Sequence, residues 1–153
     1  MTSQNGPFKK ILLPTDGSIH SLKAARYAAE LAKICGSEVT LLHVLEILNE
    51  DHPIEIQTDS WIAPMKDEAR IKEAAKKVMK KTKEILNEDE MLVETRYFIY
   101  GHPSKAITEI SEKENFDLII MGSHGLSGIK RYMMGSVADK VCHNAPCPVL
   151  IVR

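Results

Sequence analysis

Two short segments of this chain hold residue types that can do chemistry together. The first is Gly122-Ser123-His124-Gly125, followed after nine residues by Gly135-Ser136. Glycines leave backbone amides open to a ligand, with no side chain in the way. If Ser136 opens a helix, the unpaired amides and partial positive charge there suit phosphate. Ser136 adds a hydroxyl, and Lys130 and Arg131, between the glycines, add cations that pair with phosphate oxygens. His124 can face the phosphate or act as an acid. The second segment is Pro14-Thr15-Asp16-Gly17-Ser18. A carboxylate there can accept hydrogen bonds from ribose hydroxyls or help hold a divalent ion. Each segment also has a plainer reading: glycines that only turn a strand into a helix, and an Asp-Gly turn ahead of a Ser18 helix cap.

The two segments can cooperate only if the fold brings them together, and the hydrophobic pattern says that it does. Ile11-Leu12-Leu13, closed by Pro14, reads as a buried strand. Ser18 caps a helix whose apolar positions are Leu22, Ala25, Ala29, Ala32 and Cys35, and Gly36 ends it. Val39–Val44 is a second strand. Leu45–Pro64, with two prolines and Trp61, reads as a long surface loop. Met65–Leu86 is helical, with Ile71, Ala74, Ala75, Val78, Thr82, Ile85 and Leu86 as its inner stripe. Leu92–Ile99 is a third strand and Gly101 a turn. Pro103 starts a helix that buries Ile107 and Ile110. Leu118–Met121 is a fourth strand, Ser136 to about Asn144 a last helix, and Val149–Val152 a fifth strand.

Strict alternation of strand and helix, with continuous apolar strands, means an α/β, Rossmann-like fold: a doubly wound five-stranded parallel sheet with helices on both faces. Right-handed crossovers give the strand order 3-2-1-4-5. The topological switch then falls between the first and fourth strands, which is where such sheets bind ligands. Both chemical segments follow those two strands.

Composition narrows the function further. A length of 153 residues fits one domain, with residues 1–7 as a loose tail. Hydrophobic residues at 44% and charged residues at 27% are an ordinary globular mix. The net charge of -1 offers no basic field for nucleic acid, and 5% aromatics disfavour a base-stacking surface. The lysines at 76, 77, 80, 81 and 83 read as a solvated helix face. The N-terminus shows no apolar leader and no run is long enough to span a membrane, so a cytoplasmic protein is expected. The three cysteines make no disulfide framework, and Cys142-His143 with Cys147 falls short of a closed zinc set. There is no P-loop, no dinucleotide fingerprint and no nucleophile elbow. His43, at the end of a strand, reads as structural, and Trp61 and the methionines as packing or loop contacts.

The glycine pattern of Gly122, Gly125, Gly135 and Ser136 resembles the ATP-binding signature of the universal stress protein (UspA-like) family, in its ATP-binding branch. Ile11 to Ser18, Leu42-His43-Val44, Gly101-His102-Pro103 and Ala145 to Val149 are similar to that family's first strand and loop, second strand, turn before the third helix, and entry to the last strand. The resemblance implies ATP as ligand, with Mg or Mn held through its phosphates; the protein alone offers no metal site, and Asp16 is the carboxylate that can help hold such an ion. It implies that Pro14, Thr15 and Asp16 line the adenosine side and that Val44 contacts adenine. Gly122 and Gly125 would approach ribose and phosphates, and Gly135, Ser136 and the backbone of Val137 would hold the phosphate chain. Met121, His124, Lys130 and Arg131 complete the expected contacts. Val149–Val152 lies at a sheet edge, and an apolar edge needs cover. Pairing with a second copy supplies it, and the resemblance implies a homodimer through this strand. With binding groups but no base or nucleophile in view, a stress-response or signalling module with at most slow ATP hydrolysis is expected. A nucleotide-using hydrolase or transferase, or an interaction module that binds no nucleotide, stands as the alternative.

Overall fold

The computed structural model describes residues 6–44, 68–86, 93–98, 102–126 and 132–153. Five strands, β1 (Lys10–Pro14), β2 (Glu38–Val44), β3 (Val93–Phe98), β4 (Leu118–Gly122) and β5 (Val149–Val152), alternate with four helices. These are α1 (Ile19–Cys35), α2 (Glu68–Leu86), α3 (Pro103–Lys113) and α4 (Ser136–Asn144). The strands form one parallel sheet in the order β3-β2-β1-β4-β5. The doubly wound arrangement expected from the alternation is therefore the one observed.

In the central strands successive residues alternate between two covered faces, so Ile11–Leu13 and Leu118–Met121 are apolar without a break. Ile11, Leu13, Val39, Leu41, Leu118 and Ile120 pack with the alanines of α1 and with Met79 and Leu86 of α2. Leu12, Leu42, Ile119 and Met121 pack with Ile107 of α3 and with Ala138 and Val141 of α4. Each fully buried Leu or Ile contributes roughly 2 kcal/mol of transfer free energy, so the central strands dominate the core. The alanines of α1 contribute less by area but let its backbone lie close to the sheet.

Caps follow the sequence. Ser18 accepts from the Ser21 amide at the start of α1, and Gly36 ends it in the left-handed region at φ 66°. Pro103 stands in the first turn of α3. Two details depart from the helical stripes read above. Leu22 is only half-buried, while Ala24 and Ala28 are fully covered. In α2, Ala74 is exposed and Met79 takes the inner position. Small residues fit either face, so alanine spacing does not fix a helix's rotation, whereas the bulk of Met79 does. Lys76, Lys77, Lys80 and Lys81 are exposed. The expected helix start at Met65, the loop 45–64 with Trp61, Gly101 and the strand ends Leu92 and Ile99 lie outside the described residues.

β1 passes to α1 on one face and β4 passes to α4 on the other. The two chains part at neighbouring strands, and the crevice between them is the switch point.

Candidate functional site

The turn after β1 is built from its own side chains. Asp16 Oδ1 accepts from the Ser18 amide at 2.9 Å, which shapes the turn, and Gly17 takes φ +78°, a conformation that suits glycine. Thr15 is anchored on both sides of its peptide. Its amide donates to Leu42 O at 2.9 Å, and its carbonyl accepts from His43 Nδ1 at 2.7 Å, which places that ring proton on Nδ1. The Thr15 hydroxyl is buried among Ser21 Oγ at 3.2 Å and Thr82 Oγ1 at 3.0 Å.

Two bonds carry this turn across the crevice to the segment after β4. Asp16 Oδ2 accepts from the Leu126 amide at 3.1 Å, and Ser18 Oγ donates to His124 O at 3.4 Å. The Asp16 carboxylate therefore ties the two segments together. Two of its roughly four acceptor positions are taken, which leaves acceptor capacity for a ligand hydroxyl or a cation.

The glycines of the β4 segment are fixed by the protein itself. A Cβ on Gly122 would stand 2.7 Å from the His20 backbone and 2.8 Å from the Ser21 amide nitrogen. On Gly125 it would meet Asp16 Oδ2 at 2.7 Å, and on Gly135 it would meet Ser123 O at 3.0 Å. The sequence alone presents these positions as open approaches to a ligand. The structure gives each a packing reason as well, because the segment folds tightly onto α1 and the β1 turn.

The segment returns on itself before α4. The Gly135 amide donates to Ser123 O at 2.8 Å, and the His124 Nε2 proton goes to Met133 O. His124 Nδ1 lies 2.8 Å from Ser123 Oγ, and the ring rests against His20 with centroids 5.1 Å apart. Both ring nitrogens of His124 are thus engaged by the protein. The ring acts as a clasp between the two ends of the segment rather than as a group turned toward a ligand. Gly135 caps α4 without a side chain, and its carbonyl accepts from the Asp139 amide at 2.9 Å. The amides of Ser136, Val137 and Ala138 precede that first helical bond, so the start of α4 presents donors suited to an anion. Ser136 is exposed beside them.

The remaining expected contacts fall as follows. Pro14 is buried at the end of β1, and Val44 is half-buried at the end of β2. Met121 is buried in the α3/α4 core, and Val137 packs against the same cluster. Lys130 and Arg131 lie outside the described residues. Sequence reasoning missed the bracing roles of Ser21 and Ser123, whereas His43, read as structural, does brace Thr15. Ser21 alone had a visible signal, because it stands three residues after the Ser18 cap, where a first-turn hydroxyl meets the cap.

A recess of about 570 Å³ opens on the other side of the segment, lined by Tyr27, His124, Met133, Leu150 and Arg153 among others. It follows the β5 edge, and none of Pro14, Thr15, Asp16 or Val44 lines it, so it is distinct from the crevice. Among the described residues no three His, Cys, Asp or Glu side chains converge to hold a metal. Partial burial, and then the charge of Asp139, push the Cys142 thiol up from its ordinary pKa; burial and Asp117 do the same at Cys147, against a lowering bond from the Ile119 backbone.

Comparison with known proteins agrees with this fold. A family model described as the Universal stress protein family matches residues 7–153. Universal stress protein MJ0531 of Methanocaldococcus jannaschii is 38% identical over 149 residues, covering 95% of this chain and 82% of its own. The solved structure of MJ0577, from the same organism, superposes with a TM-score of 0.75 at 30% identity, over 96% of both chains. A universal stress protein from Archaeoglobus fulgidus, solved in complex with dAMP, has a TM-score of 0.70 at 21% identity, over 97% of this chain and all of that one.

Proposed function

We propose that this chain, which belongs to the universal stress protein family, binds an adenine nucleotide, ATP with Mg or Mn, in the crevice between β1 and β4. The observation that carries the reading is the start of α4, which no side chain caps. A helix begins there with open amides, a glycine cap and an exposed serine hydroxyl, and the segment that leads into it is bonded at Leu126 to a carboxylate with acceptor capacity left. The Archaeoglobus fulgidus relative was solved with dAMP; that likeness is one of fold, and the residues here make the case for this chain.

In this reading the amides of Ser136 and Val137 and the Ser136 hydroxyl hold the phosphates, with Lys130 and Arg131 supplying charge. Gly122 and Gly125 let ribose and phosphates come close. Asp16 takes the ribose hydroxyls, and Pro14, Thr15, Val44 and Met121 form the apolar side for the base. A divalent ion, when bound, neutralises phosphate charge, and Asp16 is the protein group suited to reach it. Fast phosphoryl transfer also needs a positioned base or nucleophile. His124, the nearest candidate, has both nitrogens engaged. The chain therefore acts as a single-domain stress-response or signalling module of the cytoplasm, one that reads nucleotide and turns it over slowly at most.

The same reading makes the chain a homodimer through β5. Leu150 is exposed on that edge strand, with Tyr27, Met133 and Met134 exposed beside it. Pairing with a second β5 covers the strand's free backbone groups and this apolar surface.

The test is to add ATP with Mg to purified protein and follow the melting temperature. Binding to the native state raises it by mass action, by an amount that grows with the logarithm of ligand concentration. Denaturing the protein as purified and identifying any released nucleotide by mass names the ligand. A melting temperature indifferent to millimolar nucleotide, with nothing released, overturns the proposal.

A further inference from the structure

We infer that Thr82, on α2, is a positioning residue for the nucleotide: it heads a buried chain of hydroxyls that fixes the Thr15–Asp16 turn. This rests on the nucleotide reading above and adds to it a residue far along the sequence from either binding segment.

The chain runs through three hydroxyls on three elements. Thr82 is fully buried on α2, Thr15 is buried in the turn, and Ser21 is buried in the first turn of α1. Four contacts join them to each other and to backbone carbonyls. Thr15 Oγ1 lies 3.2 Å from Ser21 Oγ and 3.0 Å from Thr82 Oγ1. Ser21 Oγ reaches Ser18 O at 2.9 Å, and Thr82 Oγ1 reaches Val78 O at 2.9 Å. Three hydroxyls carry three protons, so four contacts cannot all be hydrogen bonds at once.

The Thr82 hydroxyl faces two acceptors, Val78 O and Thr15 Oγ1, and the arrangement that joins all three hydroxyls has it donate to Thr15. At the Thr15–Ser21 contact Thr15 is the donor, and Ser21 passes its own proton to Ser18 O. The contact between Thr15 and Thr82 is then a hydrogen bond only if Thr82 supplies the proton. Val78 O loses little by this, because the Thr82 amide already donates to it in the helix ladder. Thr15 Oγ1 then donates once and accepts twice, from Thr82 and from the Gly17 amide at 3.3 Å. All its hydrogen-bonding capacity is used, and all of it holds the turn that carries Asp16.

A second observation puts α2 against the same turn. The Cβ position of Gly17 lies 3.2 Å from a methyl carbon of Val78, one helical turn before Thr82. Val78 packs on the turn from outside while Thr82 bonds it from within. The position of α2 is thereby set directly into the backbone that presents Asp16.

The experiment compares wild-type protein with Thr82→Val, Thr82→Ala and Thr82→Ser. Valine keeps the shape and loses the hydroxyl, alanine loses it without placing a methyl against Thr15, and serine keeps it. Calorimetric titration with ATP and Mg gives affinity, and the Gly17 amide signal in the nucleotide-free protein reports the turn. Losing one buried hydrogen bond at the turn weakens ATP about fivefold in the valine and alanine variants, while serine stays within about twofold of wild type. The Gly17 signal moves in the first two and holds in the third. Equal ATP affinity and an unmoved Gly17 signal in a folded valine or alanine variant overturn the inference, as does a serine variant as weak as valine. Wild-type protein that binds no ATP refutes the nucleotide reading instead, and the Gly17 signals then decide the hydroxyl chain by themselves.

Discussion

Within Thr15–Ser21 the hydroxyls of Thr15, Ser18 and Ser21 are buried and bonded, and both Asp16 oxygens hold backbone amides. Across the crevice Tyr132, Met133 and Met134 stand exposed, and the segment they belong to is closed by two ties, Gly135 to Ser123 and His124 to Met133. One lip of the site is thus built from its own side chains; among the described residues the other is held by those two ties and by the bonds of Leu126 and His124 to the first lip. The difference assigns the lips different work. A rigid lip can select by geometry, because its groups lose no freedom on binding. The second lip ends in the open amides at the start of α4, which suit an anion.

The sharpest way to break this contrast is at Gly122, where the lips share a backbone contact. A methyl there stands 2.7 Å from the His20 carbonyl carbon, so Gly122→Ala has to push α1 off the sheet. The expected cost is about 3 kcal/mol, read as a lower midpoint in urea unfolding. A midpoint unchanged from wild type means that the lips are not packed as described. Asp16→Ala comes next. It removes both amide bonds of the carboxylate, and loosening the built lip costs about 2 kcal/mol. Nucleotide affinity falls further than stability if the carboxylate also meets the ribose, and the two losses measured side by side separate these roles. Gly125→Ala is smaller, at about 1 kcal/mol, because its methyl meets only the movable Asp16 Oδ2 at 2.7 Å and displaces one bond between the lips. A Gly125→Ala variant as unstable as Gly122→Ala would show that the carboxylate cannot move and that the second lip is as rigid as the first.

The same contrast explains what could be read from the chain alone. Strand order, helix order, the Ser18 and Gly36 caps and the start of α4 at Ser136 were all legible, because apolar runs and caps are local signals. The glycine positions were legible too, but only half of their reason. A glycine spacing shows that side chains are excluded; it does not show whether a ligand or the protein excludes them, and at Gly122 the excluding atoms belong to His20 and Ser21. His124 was open to a ligand-facing reading for the same cause, since its partners, Met133 O and Ser123 Oγ, depend on how the segment folds back. The role of Thr82 was hidden in plain view. It sat on the inner stripe of α2 as one more helix-facing residue, and only the crossing of α2 over the β1 turn brings its hydroxyl to Thr15.

The smallest effect tests the fastened lip alone. His124→Ala removes the donor to Met133 O and the ring contact with His20, and touches none of the bonds inside the Thr15–Ser21 turn. Global stability should change by less than about 1 kcal/mol, because one tie in an exposed segment carries little of the folding free energy. Local opening should respond more. The Gly135 amide, bonded to Ser123 O, reports whether the segment is closed, and its hydrogen exchange is expected to quicken about tenfold while amides in β1 and β4 keep their rates. His124→Gln keeps a side-chain amide donor and should recover part of the protection. If Gly135 exchanges at the wild-type rate in both variants, the Ser123 tie holds the segment by itself, and the clasp assigned to His124 is wrong. If the β1 and β4 amides quicken as well, the second lip bears on the core, and the two lips differ less than their burial suggests.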